Sequence, residues 1–165
     1  MPMTVARRTL ILGMGNPILS DDAVGIRLAH DLRTRLGEWP DTVFQEECSV
    51  GGLNLLDVVS GYQRLIVLDS IKTPGGKPGE WHYFDATRLR ESLNLSSVHD
   101  VNFATALELG RRLGHTIPED SEIHIFAVEI EDNITFSESL TPALKARYPA
   151  SLEEILRAVR KLLAG

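Results

Sequence analysis

The sequence predicts a single α/β domain, residues 1–165, in which helices flank a mostly parallel twisted sheet in three layers. Three observations favour this class. Short apolar runs typical of strands alternate with segments whose apolar residues recur at helical spacing. The length of 165 residues suits one domain, and a hydrophobic content of 43% is sufficient for one core. The chain also contains no internal repeat, linker or low-complexity tract.

The first half of the chain is predicted to contain three strands and two helices. In order they are a strand at 9–12, a helix that begins after Ser20 and Asp21 and extends to Leu36, a strand at 42–45, a short helix that carries residues 55–59 and a strand at 64–70. We expect Ser20 or Asp21 to cap the first helix, because short polar side chains accept hydrogen bonds from first-turn amides. The run from Leu65 to Leu68 is continuously apolar, which is typical of a central parallel strand.

The second half is predicted to contain two strands and two helices. In order they are an antiparallel edge strand at 80–84, a helix that begins near 99, a strand at 122–130 and a C-terminal helix from 151. The apolar side of the first of these helices is expected to carry Phe103, Leu107 and Leu113. Ser151 and Glu154 have the spacing of a capping box at the start of the second.

Composition and charge exclude several classes of function. The 17 basic and 23 acidic residues give a net charge of -6, which argues against a sequence-blind nucleic-acid binder, since such a protein needs a basic face. No apolar run approaches the roughly 20 residues of a membrane span. The single cysteine, Cys48, cannot form an internal disulfide and is expected to fill space in the core. We therefore expect a cytoplasmic monomer without nucleic-acid or membrane partners.

Three polar groups are predicted at one edge of the sheet, where ligand sites of such folds usually lie. Asp21 and Asp22 follow the first strand, Asp69 directly follows the run 65–68, and His99 begins a later helix. Two carboxylates and an imidazole can bind nickel, zinc, manganese or cobalt. Structural roles stay open at this point. The acidic pair also suits a helix dipole, Asp69 a turn cap, and His99 an ordinary helix start.

The other motifs indicate no competing chemistry. The glycine turn at 13–17 lacks the third glycine of a dinucleotide fingerprint, since Ile18 occupies that place. Asp21 and Asp22 would also repel a pyrophosphate at the helix start. The sequence has no Walker motif, no G-x-S-x-G elbow and no visible Ser or Cys nucleophile beside a base. These motifs therefore give no sign of nucleotide binding or of a nucleophile–base pair.

Five sequence segments carry information about function beyond these polar groups. They are LILGMGNPILSDDAVG at 10–25, LIVLDS at 65–70, SVHD at 97–100, FAVE at 126–129 and SLTP at 139–142. Together they resemble the nickel–iron hydrogenase maturation endopeptidases, and the resemblance covers nearly the whole chain. Proteins of that family remove a short C-terminal extension from the hydrogenase large subunit once nickel has been inserted. The resemblance therefore implies an endopeptidase whose partner is a hydrogenase large-subunit precursor.

The resemblance also implies a set of site residues. The family's metal-binding triad is an acidic residue, an Asp and a His, and by motif it falls on Asp22, Asp69 and His99. These residues would serve as both catalytic residues and metal ligands. The implied metal is nickel carried by the precursor, and other divalent ions suit the same ligands. Such an ion would act as a Lewis acid that polarises the scissile carbonyl or activates a water.

One segment departs from the family pattern. Members of the family often carry an Asp-Gly-Gly-Thr loop after the second strand, where it helps to grip the substrate. The matching stretch here is ECSVGG at 47–52. The resemblance implies substrate binding by Glu47, Gly51 and Gly52, with Glu47 in place of the family's Asp. The departure affects partner specificity more than the type of reaction.

Two other functions are compatible with parts of the sequence. A non-catalytic chaperone of the hydrogenase precursor would share the partner but would need no ligand triad. Peptidyl-tRNA hydrolases also begin with a strand and a Gly-x-Gly-Asn-Pro turn, yet they place a His after it and present a basic surface. Here Asp21 and Asp22 follow the turn and the net charge is -6, which disfavours that reading.

Overall fold

The computed structural model describes residues 7–48, 53–91 and 98–165. The strands are β1 (Thr9–Met14), β2 (Thr42–Cys48), β3 (Arg64–Ile71), β4 (Trp81–Asp85) and β5 (Ile123–Glu129). The helices are α1 (Val24–Leu36), α2 (Leu53–Val59), α3 (Ala86–Glu91), α4 (Val98–Arg112) and α5 (Pro142–Ala164). Short 3₁₀ helices at Ser20–Ala23 and Asp120–Glu122 precede α1 and β5. The short helix α3 lies in a stretch for which the sequence predicted no element.

The strands form one sheet in the order β2-β1-β3-β5-β4. β1 pairs in parallel with β2 and β3, and β3 pairs in parallel with β5, whereas β4 runs antiparallel to β5 at the edge. The predicted α/β class, with a mostly parallel sheet and an antiparallel edge strand, is confirmed. In the register of β3 and β5, Asp69 lies opposite Ala127, so both strands end at the same edge of the sheet.

Side chains along each strand alternate between two hydrophobic clusters, one on each face of the sheet. Leu10 and Leu12 of β1 pack with residues of α2 and α4, while Ile11 packs with residues of α1 and α5. In β3, Leu65 and Ile66 face opposite clusters in the same way. This arrangement confirms the three predicted layers and explains why the central strands are apolar on both faces.

The predicted cap of the first helix is wrong. The chain enters α1 through a 3₁₀ turn, and the side chains proposed as caps form bonds with distant residues instead. The Ser20 hydroxyl donates to the backbone oxygen of Ser139. The Asp21 carboxylate accepts hydrogen bonds from residues of the loop that precedes α5. Tertiary partners therefore outcompete the local amides, which sequence spacing alone cannot reveal.

The predicted start of the last helix is also wrong, because α5 begins at Pro142 rather than at Ser151. Proline suits a first helical position, since it has no amide hydrogen to leave unpaired. The Ser151 hydroxyl, buried within α5, donates to the backbone oxygen of Gly79. Leu113, expected on the apolar side of α4, follows the end of that helix and is 62% exposed. Among the described residues, no helix is both long and apolar enough to cross a membrane.

Candidate active site

A tight turn after β1 folds back onto the start of the next helical segment. Gly15 has a φ of +144°, a conformation that residues with a side chain rarely adopt. A Cβ atom at this position would lie 2.1 Å from the backbone oxygen of Asp22. Glycine therefore permits the turn to contact Asp22 directly, and the Asn16 N–H donates to Asp22 Oδ2 at 2.9 Å. This contact places the first predicted site residue against the end of β1.

A second close approach places Asp22 near the end of β3. A Cβ atom on Gly25, in the first turn of α1, would lie 2.3 Å from the backbone oxygen of Leu68 and 2.5 Å from that of Met14. The start of α1 consequently rests on the ends of β1 and β3, at a distance that only glycine allows. Since Leu68 directly precedes Asp69, this packing brings Asp22 and Asp69 to the same edge of the sheet.

Ser70 connects these two carboxylates. Its hydroxyl donates to Asp22 Oδ1 at 2.9 Å, and its backbone N–H donates to Asp69 Oδ1 at 2.7 Å. Asp22, Asp69 and Ser70 are all half-buried, so each carboxylate combines fixed protein partners with access to solvent. Two of the three predicted ligands thus lie together, joined by a residue that the sequence analysis did not single out.

Asp21 has a different role from its neighbour. Its side chain is fully buried and accepts four hydrogen bonds. The donors are the backbone N–H groups of Glu131, Asp132 and Thr141 and the hydroxyl of Thr141, at 2.7–3.1 Å. These bonds tie both ends of the loop at 131–141 to the start of α1. Of the acidic pair, Asp21 stabilises the fold by binding this loop, and Asp22 belongs to the candidate site.

The loop held by Asp21 runs beside the glycine turn. The Ser137 N–H donates to the backbone oxygen of Ile18, and the Ser20 N–H donates to that of Ser137. Within the loop, hydrogen bonds from the Thr135 side chain and backbone lower the pKa of Asp132 to about 2. Ile134 and Phe136 remain 78% and 80% exposed. The loop is therefore fixed at several points while two of its apolar side chains face solvent.

The remaining predicted site residues are placed less completely. His99 lies in the first turn of α4, but its side chain is outside the described part of the structure. Glu47 is exposed near the end of β2, whereas Gly51 and Gly52 are outside the described residues. Cys48 is only 4% exposed and packs in the hydrophobic cluster on one face of the sheet, as predicted for a space-filling residue.

The donor set at this edge suits a cation. A carboxylate offers about four lone-pair positions, and the two oxygens of Asp22 each accept a hydrogen bond from a neutral group. Lone pairs of this carboxylate therefore remain available to an ion. Among the described side chains, no group of three or more His, Cys, Asp or Glu is placed to hold a metal ion. The pair of carboxylates would thus need a further ligand from His99 or from the bound partner.

Two residues of this site escaped the sequence analysis. Ser70 was visible only as the residue after Asp69, and Asn16 only as part of the glycine turn. Both contact Asp22 across the fold, through a side-chain hydroxyl and a backbone N–H. A hydroxyl next to a strand-ending Asp is a weak signal, because it says nothing about which distant group will accept its proton.

The fold and the site together define a class of protein, a doubly wound α/β protein whose polar site lies at the carboxyl edge of its parallel strands. Comparison with known proteins narrows this class. A family model described as hydrogenase maturation protease matches residues 26–158. The chain is 28% identical over 155 residues to the hydrogenase 2 maturation protease of Escherichia coli, covering 93% of this chain and 92% of that relative.

Solved structures agree with the sequence comparison. The hydrogenase maturating endopeptidase HybD from E. coli superposes with a TM-score of 0.73 at 25% identity, covering 93% of each chain. A [NiFe] hydrogenase maturation protease HybD from Thermococcus kodakarensis shares the fold, with a TM-score of 0.67 and 23% identity over 94% of this chain and 99% of that one. The chain belongs to the hydrogenase maturation protease family. Membership in this family supports protease activity.

Proposed function

We propose that this protein is an endopeptidase that removes the C-terminal extension of a nickel-loaded [NiFe] hydrogenase large-subunit precursor by metal-assisted hydrolysis. The observation that carries the proposal is the pair formed by Asp22 and Asp69, which Ser70 joins at the carboxyl edge of the sheet. The family model supports the protease class. The paired carboxylates support the participation of a cation.

In this proposal, Asp22 and Asp69 bind the nickel ion that the precursor carries, and His99 contributes the third ligand from the first turn of α4. A bound divalent ion supplies Lewis acidity, which polarises a carbonyl or lowers the pKa of a water. The contribution of the chain is to present anionic oxygens in a fixed orientation. Neutral donors, Asn16 N–H and Ser70 hydroxyl, orient Asp22 without cancelling the charge that attracts the ion.

The same charges give a reason for discrimination between loaded and empty precursor. Two carboxylates at one edge repel each other while no cation is near, and a cation between them removes that repulsion. A precursor that brings nickel therefore gains binding free energy that an empty precursor does not. We propose that this electrostatic difference restricts cleavage to the loaded form. Glu47, near the end of the edge strand β2, is proposed to contact the substrate chain together with Gly51 and Gly52.

Mass spectrometry of the precursor tests this function. The protein is incubated with a cognate large-subunit precursor whose nickel content has been measured, and a nickel-free preparation of the same precursor serves as the control. The loaded precursor should lose one discrete C-terminal peptide, and the nickel-free precursor should keep its mass. An unchanged mass of the loaded precursor would contradict the proposal. A stable complex without shortening would favour the alternative of a non-catalytic chaperone.

A further inference from the structure

Ser70 forms hydrogen bonds with both candidate carboxylates. Its hydroxyl and its backbone N–H donate to Asp22 Oδ1 and Asp69 Oδ1, respectively. We propose that Ser70 is a positioning residue, which locks the Asp22 carboxylate in the orientation that binds a divalent cation beside Asp69. The inference rests on the proposed function, because it assumes that Asp22 and Asp69 are ligands.

The need for such a residue follows from where Asp22 lies. It belongs to a 3₁₀ turn rather than to a strand, and its half-buried side chain has two rotatable bonds. The Asn16 N–H holds Oδ2 from the glycine turn, and the Ser70 hydroxyl holds Oδ1 from β3. Two donors on two different elements define both the position and the plane of the carboxylate. Without the Ser70 hydroxyl, only Oδ2 of Asp22 keeps its hydrogen bond, and the plane of the carboxylate can rotate about that contact.

The chemical type of the donor also fits this role. A lysine or arginine in place of Ser70 would hold Asp22 as firmly, but its positive charge would oppose the arrival of a cation. A hydroxyl donates one hydrogen bond and adds no net charge. Because the Ser70 N–H also engages Asp69, the donors of one residue set the two carboxylates relative to each other. Partners of this kind orient ligands and tune metal affinity.

Nickel titration by calorimetry on the full chain tests this role. The variants are Ser70→Ala, which removes the hydroxyl, and Ser70→Thr, which keeps it. Ser60→Ala is the matched control, because the Ser60 hydroxyl donates to the backbone oxygen of Leu56 near the opposite end of β3. We expect Ser70→Ala to lower nickel affinity about 10–100-fold. Ser70→Thr should recover most of that loss, and Ser60→Ala should bind as the wild type does.

Cleavage of the nickel-loaded precursor provides a second readout. Ser70→Ala should lower kcat/KM by a factor similar to the loss of affinity, and Ser70→Thr should restore it. Wild-type nickel affinity in Ser70→Ala would overturn the proposal, as would a complete loss of cleavage at unchanged affinity, which would indicate that the hydroxyl itself reacts. Absence of measurable nickel binding by the wild-type chain would overturn it as well.

The variant Asp22→Asn separates this proposal from the function on which it rests. If Asp22→Asn loses nickel binding while Ser70→Ala retains it, the ligand assignment stands and the role of Ser70 is refuted. If Asp22→Asn and Asp69→Asn both bind nickel and cleave the precursor as the wild type does, the proposed cation site itself is refuted.

Discussion

Asp21 and Asp22 are adjacent in the chain and carry the same side chain, yet their surroundings are opposite. Asp21 is fully buried and accepts four hydrogen bonds from the loop at 131–141. Asp22 is half-buried and accepts hydrogen bonds from the Asn16 N–H and the Ser70 hydroxyl. The first carboxylate has its acceptor positions filled by the protein, whereas the second accepts fewer hydrogen bonds and is partly exposed to solvent.

This contrast teaches how to distinguish a scaffold carboxylate from a site carboxylate. A buried carboxylate is stable only when donors compensate for lost hydration, and four donors meet that requirement for Asp21. Such a group is committed to the fold, because any ligand would have to displace those donors. Asp22 needs fewer protein donors, because solvent hydrates the rest of it. It can exchange that water for a ligand without disturbing the fold.

The largest effect is expected for Asp21→Asn. The amide NH₂ of asparagine would face a backbone N–H in at least one of the four contacts, and the charge that strengthens the others would be lost. We expect the free energy of unfolding to fall by about 3 kcal/mol, measured by urea denaturation. Asp57→Asn, at an exposed position of α2, is the matched control and should change little. A loss below about 1 kcal/mol in Asp21→Asn would refute the scaffold role.

A somewhat smaller effect is expected for Gly25→Ala. The added methyl group would overlap the backbone oxygens of Leu68 and Met14, so the start of α1 must move away from the ends of β1 and β3. We expect a loss of about 2 kcal/mol of stability from overpacking. Cleavage should fall as well, since Asp22 would shift relative to Asp69. The control is Ala158→Gly in α5, which exchanges the same two residue types in a helix away from this contact. Gly37→Ala would not serve as a control, because Gly37 has a positive φ.

The smallest effect in this series is expected for Thr141→Val. It removes the hydroxyl that donates to Asp21 Oδ2 and leaves the backbone donors in place. We expect a loss of about 1 kcal/mol in unfolding free energy and no change in precursor cleavage. The comparison with Ser70→Ala is direct, because each variant removes one hydroxyl from one of the two aspartates. A cleavage defect in Thr141→Val with intact stability would show that Asp21 takes part in the chemistry.

Much of the fold could be predicted from the sequence, because burial leaves a local trace. The run from Leu65 to Leu68 indicated a central strand, and β3 lies between β1 and β5. The position of Asp69 at the carboxyl edge of the sheet followed from the rule that polar residues at the ends of parallel strands meet at that edge. The antiparallel edge strand was also predicted. These features depend on periodicity and chain order alone.

The failed predictions depend on contacts between residues far apart in sequence. Ser20 and Asp21 have the composition of a helix cap, but their partners are about 110 to 120 residues away. Ser151 has capping-box spacing, but it lies inside a helix that starts at Pro142, and its hydroxyl donates to the backbone oxygen of Gly79. The role of Ser70 was hidden for the same reason. Spacing shows what a polar side chain can do locally and omits what the tertiary structure offers it.

The central claim, that Asp22 serves the reaction and not the fold, is tested by measuring melting temperature and precursor cleavage on Asp22→Asn. Asparagine can keep both contacts, with its oxygen accepting from Asn16 N–H and its NH₂ donating to the Ser70 hydroxyl. We predict a melting temperature within about 3 °C of the wild type and a loss of cleavage of at least about 100-fold, with Asp57→Asn normal in both respects. Asp69→Asn and His99→Ala should behave in the same way as Asp22→Asn. Normal cleavage of the nickel-loaded precursor by a folded Asp22→Asn protein would contradict the account.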